Sequence, residues 1–130
     1  MNRDEGKILR AYLADRKRLI DRSLTEYLPA EERYPETIFR AVRYSVEAGG
    51  KRLRPAVVML AADAVKKGSS YDILPASLAL ELTHSFTLIH DDIMDGDVAR
   101  RGVPTVHTKW DEPTAILAGD VLYASAFEFL

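Results

Sequence analysis

The stretch PASLALELTHSFTLIHDDIMD, residues 75–95, is apolar on nearly every side of a helix until it reaches three aspartates. A helix that is apolar nearly all round is normally buried among other helices, so we predict that this one is central. Its last turn, just before Gly96, carries Asp91, Asp92 and Asp95. The segment therefore predicts both the core of the fold and an acidic site at the end of the central helix.

Apolar residues on either side of this stretch also recur at helical spacing, with no run of strict alternation. We therefore predict one all-α domain of about five helices, in which residues 69–72 and 96–108 form loops or irregular chain. The predicted helices cover about 4–27, from Pro35 to a stop at Gly49-Gly50, from Pro55 to Lys66-Lys67-Gly68, 75–95, and from Asp111-Glu112-Pro113 onward. The charged residues of the first helix indicate an outer position.

The fifth predicted helix has no stop signal. Its apolar pattern continues to Leu130 without a glycine, a proline or a basic last turn. We interpret residues 1–130 as part of a longer fold, truncated after this helix. The alternative is a C-terminal helix that docks in a dimer.

Composition indicates an ordinary soluble domain. The 130 residues are 47% hydrophobic and 29% charged, with a net charge of −2 and no cysteine. This charge balance gives no general attraction to nucleic acid or to anionic membranes, and the absence of cysteine excludes disulfides and thiolate metal sites. There is no signal-peptide pattern and no apolar run long enough to span a bilayer. We expect a cytoplasmic protein with no nucleic-acid partner and no membrane span.

The three aspartates are placed where helices do not favour acids. Asp91 and Asp95 are one turn apart on one face, and Asp92 lies three residues before Asp95. They repel one another and stand at the negative end of the helix dipole, so a cation is needed to offset them. Carboxylate oxygens suit Mg²⁺, which completes its shell with water and phosphate. The alternative is a solvated acidic helix end.

The sequence GGKRLRP, residues 49–55, has the opposite charge at the opposite end of a helix. Three cations, Lys51, Arg52 and Arg54, stand before the predicted helix start, where the dipole disfavours them. Pro55 favours an extended Arg54, which would keep the basic residues in the loop. Helix N-termini with added Lys and Arg bind phosphate, so this segment predicts an anion site. The alternative is a basic surface turn.

Arg100 and Arg101 follow the acidic helix end within ten residues. They are suited either to salt bridges with the aspartates or to phosphate oxygens, which arginine binds with two nitrogens. Each of the three features is weak alone. Together they predict a diphosphate-type anion held between metal and cations.

Four segments resemble the all-trans isoprenyl diphosphate synthases, the polyprenyl synthetase family, and look most similar to the archaeal geranylgeranyl diphosphate synthases. They are GGKRLRP at 49–55, ELTHSFTLIHDDIMD at 81–95, RRGVPTVH at 100–107 and AILAGD at 115–120. The resemblance implies the N-terminal part of a helical bundle around a deep cavity, usually a homodimer. It also implies a transferase that adds isopentenyl diphosphate to an allylic diphosphate and releases pyrophosphate.

Carried across by position, the resemblance implies that Asp91 and Asp95 coordinate Mg²⁺, that Asp92 assists, and that Arg100 contacts the allylic diphosphate. These four residues are the predicted catalytic group. The mechanism it implies needs little covalent chemistry from the protein, because metals and cations stabilise the departing pyrophosphate while an apolar cavity shelters the allylic cation. The double bond of isopentenyl diphosphate then attacks, and a proton is lost.

The resemblance also implies that Lys51, Arg54, His84 and Arg101 hold isopentenyl diphosphate. His84 lies two turns before Asp91 and only about 20° from it around the helix, so one face carries both. By itself, a histidine on this helix is more often a satisfied interior residue. We expect structural roles for His90 and His107 and assign none to Asp120.

Residues shortly before the aspartates limit product length in this family. Thr87 is small and lies about 6 Å, one turn, before Asp91 on the same face, whereas Phe86 is bulky and about 100° further round. With an aromatic residue at this position, the chain resembles the enzymes that make a twenty-carbon product. Farnesyl diphosphate is the other candidate product. The alternative is that Phe86 is ordinary core packing.

The chain departs from the family in length. The family's domain is more than twice as long, and its second aspartate-rich motif is not found in these residues. We therefore expect the 130-residue chain alone to be inactive. Two other functions remain open: a class I terpene cyclase, which has no use for GGKRLRP, and a non-catalytic helical subunit that binds a catalytic partner.

Overall fold

A computed structural model describes residues 3–65 and 72–130 of the chain. These residues form six helices and one two-stranded hairpin, so the all-α prediction is confirmed and the count of about five helices is one too low. The elements are α1 (Arg3–Tyr27), α2 (Glu36–Glu47), α3 (Leu53–Val65), α4 (Leu74–Asp95), β1 (Ala99–Arg100), β2 (Val103–Pro104), α5 (Val106–Lys109) and α6 (Glu112–Glu128).

The apolar helix α4 is central, as predicted. It contacts every other helix and packs most extensively against α6. Leu78, Leu82 and Ile89 of α4 are almost completely buried, and they join side chains from α1, α2, α3 and α6 in one core. Since α4 ends at Asp95, this burial fixes the position of the three aspartates relative to the rest of the molecule.

Glycines follow two of the helices, after α2 as the sequence predicted and also after α4. Gly96 follows α4 with φ of 69°, and Gly49 follows α2 with φ of 83°. Both angles lie in the left-handed region, which glycine adopts without steric cost. α1 is largely exposed along its first half, as expected of an outer helix, while Ile20 and Leu24 near its end are buried.

The predicted start of α3 at Pro55 is wrong by two residues. The helix begins at Leu53, so Arg54 lies inside its first turn and not in the loop. The first N–H groups of a helix have no intrahelical acceptor, and Pro55 therefore costs no hydrogen bond at the third position. Arg54 therefore does not follow the extended preference of a residue before proline.

Residues 96–108, predicted to be irregular, contain the hairpin and the short helix α5. Arg100 pairs with Val103, which leaves Arg101 and Gly102 as a two-residue turn. Their φ angles of 54° and 81° match the turn type that favours tight hairpins. Strands of two residues are too short to show alternation, which is why the sequence pattern did not reveal them.

The remaining helix boundaries agree closely with the sequence. Asp111 caps α6, since its side chain accepts a hydrogen bond of 2.7 Å from the N–H of Thr114. Hydrogen bonding to the side chain of Thr114, and next to its backbone, lowers the pKa of Asp111. The predicted end of the third helix at Lys66-Lys67-Gly68 and residues 69–71 of the predicted loop lie outside the described residues. No described helix is long and apolar enough to cross a membrane.

Close packing between α4 and α6 depends on Gly119. A Cβ atom at this position would lie 2.7 Å from Cδ2 of His90, closer than real contacts allow. His90 is held in place because its Nε2 donates a 3.1 Å hydrogen bond to the carbonyl of Ile116 and its ring meets the Phe86 ring edge-on. The imidazole therefore cannot easily move away.

We expect Gly119→Ala to lower the free energy of unfolding by roughly 1–2 kcal/mol, because overpacking costs about 1–3 kcal/mol and outweighs a gain of at most about 1 kcal/mol in helix propensity. Urea unfolding measures this change. In a His90→Ala background the same substitution should be neutral or stabilising. Equal losses in both backgrounds would contradict the packing argument.

Candidate functional site

The last turn of α4 presents its acidic residues in two directions. Asp91 and Asp95 are exposed, whereas Asp92 is only 5% exposed. This division follows from the helical period. Asp91 and Asp95 are four residues apart and share a face of the helix, whereas Asp92 lies on another face. Two of the three predicted acidic residues are therefore open to solvent, and the third is turned into the protein.

Asp92 is paired with Arg100 of the hairpin. Nε and Nη2 of Arg100 lie 2.7 Å and 2.6 Å from Oδ1 of Asp92, and the hydrogen bond raises the pKa of Arg100. Asp97 is a more distant partner at 3.8 Å. Salt bridges with the aspartates were one of the two roles predicted for the arginine pair, and Arg100 forms one. The side chain of Arg100 is nevertheless 35% exposed.

The exposed acids suit a hard cation that also binds phosphate. Within residues 3–65 and 72–130, no group of three or more histidine or acidic side chains is arranged to hold a metal. Mg²⁺, however, takes only one or two protein carboxylates and completes its octahedron with water and phosphate oxygens. Asp91 and Asp95 fit that requirement as a pair, while Asp92 is occupied by Arg100.

The basic segment divides in a similar way. Lys51 and Arg54 are exposed, and Arg52 between them is 5% exposed. Arg52 donates to Asp21 of α1 at 2.8 Å, to Glu81 of α4 at 2.7 Å and to the carbonyl of Val46 at 2.6 Å. The three cations are therefore not equivalent, and one of them is an internal ion-pair residue.

A cleft of about 420 Å³ lies beside this segment. It brings together all four residues that the sequence assigned to one diphosphate, which come from the loop after α2, from α3, from α4 and from the hairpin turn. The lining residues are Gly50, Lys51, Arg52, Leu53, Arg54, Glu81, His84 and Arg101. Because Arg52 and Glu81 neutralise each other, the charge facing the cleft is positive.

Arg54 and His84 contact each other across the cleft. Nη1 of Arg54 lies 3.0 Å from Nε2 of His84. A guanidinium can only donate, so Nε2 is the acceptor and the imidazole carries its proton on Nδ1. Burial, and next the positive charge of Arg54, lower the pKa of His84, which therefore stays neutral at pH 7.

Arg101 closes the cleft from the hairpin turn. Its Nη1 donates to the carbonyl of Gly49, and a Cβ at Gly50 would lie 3.1 Å from the same nitrogen. Gly50 therefore leaves room for the guanidinium. Arg100 meanwhile reaches Asp92, so two consecutive arginines connect the acidic end of α4 with the basic segment.

Phe86 and Thr87 lie one turn before the aspartates and are half-buried. The Phe86 ring centroid is 4.9 Å from that of Tyr123 in α6 and 4.9 Å from that of His90. Thr87 donates to the carbonyl of His84 at 2.8 Å. Phe86 thus combines interhelical packing with an accessible edge, and its role in product length stays a prediction.

Sequence reasoning missed the roles of Arg52, Glu81 and Gly119. One signal was available, because Glu81 interrupts an otherwise apolar helix and a buried acid needs a partner. Nothing in the sequence distinguishes Arg52 from its neighbours Lys51 and Arg54. Asp120 is exposed on α6, and Nδ1 of His107 has no hydrogen-bond partner among the described residues.

The fold and these contacts define a class of protein: a helical domain whose central helix ends in exposed carboxylates beside a cationic cleft, which is an arrangement for phosphate-type anions. Comparison with known proteins identifies the family. The profile of the Polyprenyl synthetase family matches residues 35–130. The chain belongs to the polyprenyl synthetase family.

Similar proteins carry names of prenyl diphosphate synthases. The geranylgeranyl diphosphate synthase of Methanosarcina mazei is 56% identical over 119 residues, covering 91% of this chain and 36% of the relative. The geranylfarnesyl diphosphate synthase of Natronomonas pharaonis is 44% identical over 133 residues, covering 91% and 38%. The structure of geranylgeranyl pyrophosphate synthetase from Geoglobus acetivorans superposes with a TM-score of 0.82 at 51% identity, covering 90% and 37%. The predicted resemblance to archaeal enzymes is confirmed.

These matches leave a large part of each relative unmatched. The chain spans little more than a third of the length of the three proteins. The named activities belong to proteins that contain the rest of the fold as well.

The pKa of His84 provides a test of the cleft geometry. We expect Arg54→Leu to raise this pKa, because the substitution removes a positive charge 3.0 Å from Nε2. The rise should be incomplete, since burial also lowers the pKa. NMR titration of the imidazole measures it, with Lys51→Met as a control that removes a cation without a contact to His84. Equal effects of both variants would argue against the contact.

Proposed function

We propose that this chain forms the N-terminal portion of a single polyprenyl synthetase domain and supplies one side of the active site of a Mg²⁺-dependent trans-prenyltransferase. The complete protein condenses isopentenyl diphosphate with an allylic diphosphate to make a longer trans-prenyl diphosphate. Geranylgeranyl diphosphate is the expected product, with farnesyl diphosphate as the second candidate. The chain alone binds diphosphate but does not turn over.

One observation supports the proposal: the hairpin contacts both the acidic end of α4 and the segment beside the cationic cleft. Arg100 contacts Asp92 beside the exposed carboxylates, and Arg101 lies at Gly49 beside the cationic cleft. A condensation of two diphosphates needs two such surfaces close together, one for the diphosphate that leaves and one for the diphosphate that is kept. A protein that binds one phosphate ligand has no use for the second surface.

In this proposal Asp91 and Asp95 would hold Mg²⁺, which would supply positive charge to the departing diphosphate. Arg100 adds a guanidinium on the same side, and Asp92 orients it. Lys51, Arg54 and Arg101 bind the isopentenyl diphosphate. His84 accepts a hydrogen bond from Arg54. With the diphosphate bound, His84 is expected to interact with the ligand instead.

Two other functions are less well supported. A class I terpene cyclase uses one diphosphate, and the cationic cleft with Lys51, Arg54 and Arg101 would have no ligand there. A non-catalytic helical subunit is compatible with the fold but gives no reason for exposed Asp91 and Asp95 at the unfavourable end of a helix dipole. Activity measured with and without a catalytic partner distinguishes a non-catalytic subunit from a synthase. A homodimer and a cytoplasmic location stay predictions for the complete protein.

Thermal unfolding of the 130-residue chain tests the diphosphate site. We expect Mg²⁺ and inorganic pyrophosphate together to raise the melting temperature more than either alone, because a ligand that binds only the folded state stabilises it. The combined effect should be lost in Asp91→Asn/Asp95→Asn. Asp15→Asn/Asp4→Asn removes the same charge from α1 and should keep it. A combined effect that survives loss of both carboxylates would contradict the proposed metal ligands.

Product length tests the role of Phe86. In the complete protein, we expect Phe86→Ala to shift the products toward longer chains, because the truncation removes a ring that packs 4.9 Å from Tyr123 and opens space below the aspartates. Chromatography of the dephosphorylated products measures the distribution. Thr87→Ala is the matched control and should change it less. An unchanged distribution in Phe86→Ala means that the ring is ordinary packing.

A further inference from the structure

Arg52 is a charged residue whose whole side chain is inside the protein. Its side chain is 4% exposed, and that of its partner Glu81 is 5% exposed. Each guanidinium nitrogen has its own acceptor on a different helix: Nε on Asp21, Nη1 on Glu81 and Nη2 on the carbonyl of Val46. Arg52 thereby connects α1, α2 and α4 at one point.

The backbone of Arg52 is also constrained. Its φ of 50° lies in the left-handed region, which residues other than glycine rarely adopt. Such a conformation persists only where the surroundings enforce it. Here the three side-chain contacts enforce it, and α3 begins at the next residue, Leu53.

The position of Arg52 decides where the neighbouring cations point. Lys51 precedes it and Arg54 is the second residue of α3, and both line the cleft. Arg54 is 3.0 Å from His84, which lies on the same helix as Glu81 and less than one turn after it. The contact of Arg52 with Glu81 and the contact of Arg54 with His84 therefore hold one segment to one helix at two adjacent places.

We propose that Arg52 is a positioning residue for anion binding in the cleft: by holding residues 49–54 against α1, α2 and α4, it places Arg54 on His84 and Lys51 at the cleft wall. The proposal rests on the proposed function for the identity of the anion, a diphosphate. Arg52 does not itself bind that anion, because its side chain is 4% exposed, each of its three nitrogens already donates to a protein acceptor, and Glu81 neutralises its charge.

A lysine cannot replace Arg52 in this role. The three acceptors come from three helices, and only a planar guanidinium donates in the three directions at once. Arg52→Lys keeps the charge opposite Glu81 and should leave the chain folded, but it loses the fixed orientation of the segment. Arg52→Met/Glu81→Leu removes both buried charges, a change that buried ion pairs often tolerate without loss of stability.

Three measurements on the 130-residue chain test the proposal: the melting temperature, the NMR titration of His84, and calorimetric titration with inorganic pyrophosphate. In Arg52→Lys, we expect the pKa of His84 to rise because Arg54 is released. Glu81 and Arg100 stay in place, and loosening of Arg101, which contacts Gly49 of the same segment, would raise this pKa further. In Arg52→Met/Glu81→Leu, we expect a melting temperature near that of the wild type. Pyrophosphate affinity should fall by about tenfold in both variants, as for the loss of one charge-assisted hydrogen bond.

Arg43→Met is the matched control. Arg43 also ties helices together, donating to the carbonyls of Thr25, Leu28 and Pro29, and its loss should lower the melting temperature. It has no contact with the cleft among the described residues, so the His84 titration and the pyrophosphate affinity should stay at wild-type values. A purely structural role of Arg52 would produce this same pattern.

The outcomes separate the two proposals. A folded Arg52→Lys chain with a wild-type His84 titration overturns the positioning role, and so does wild-type pyrophosphate affinity in the double variant. If the double variant fails to fold, Arg52→Lys alone decides. If the wild-type chain does not bind pyrophosphate at all, the proposed function fails, and the His84 titration still decides whether Arg52 positions Arg54.

Discussion

The buried guanidinium of Arg52, with Glu81 and Asp21 around it, is the constraint on which the candidate site depends. Taking one member of a buried ion pair away costs about 3–5 kcal/mol, since the other charge is left without a partner. The segment after α2 therefore cannot move away from α1 and α4 without a large penalty. With that segment fixed, α3 begins at Leu53, and Lys51 and Arg54 line one cleft with His84.

The hairpin extends the same constraint to the acidic end of α4. Its turn residue Arg101 contacts Gly49, the first residue of the segment that Arg52 holds, and Arg100 binds Asp92. The left-handed φ angles of Arg101 and Gly102 allow a turn tight enough for two consecutive arginines to reach opposite partners. The hairpin thereby holds the exposed carboxylates of α4 and the cations of the cleft at a defined separation.

Sequence patterns predicted most of the fold, because helical periodicity, the glycine stop after α2 and the acidic start of α6 act locally. The candidate residues were found for a similar reason, since acids and bases placed against the helix dipole are visible in sequence. The ion-pair partners of these residues could not be predicted from the sequence. Arg52 and Arg54 look equivalent in GGKRLRP, and only the ion pairs with Asp21 and Glu81 identify Arg52 as the internal residue. The start of α3 was misjudged because Arg54 does not follow the local preference of a residue before proline.

We propose two distinct anion-binding surfaces on this chain, the exposed carboxylates of α4 and the cationic cleft. Calorimetric titration of the chain with inorganic pyrophosphate, in the presence and absence of Mg²⁺, counts them directly. We expect two sites, one that requires Mg²⁺ together with Asp91 and Asp95, and one that does not require Mg²⁺ and is weakened by Lys51→Met. Two anion-binding surfaces are ruled out by a single site that is lost both in Asp91→Asn/Asp95→Asn and in Lys51→Met, or by binding that neither variant changes.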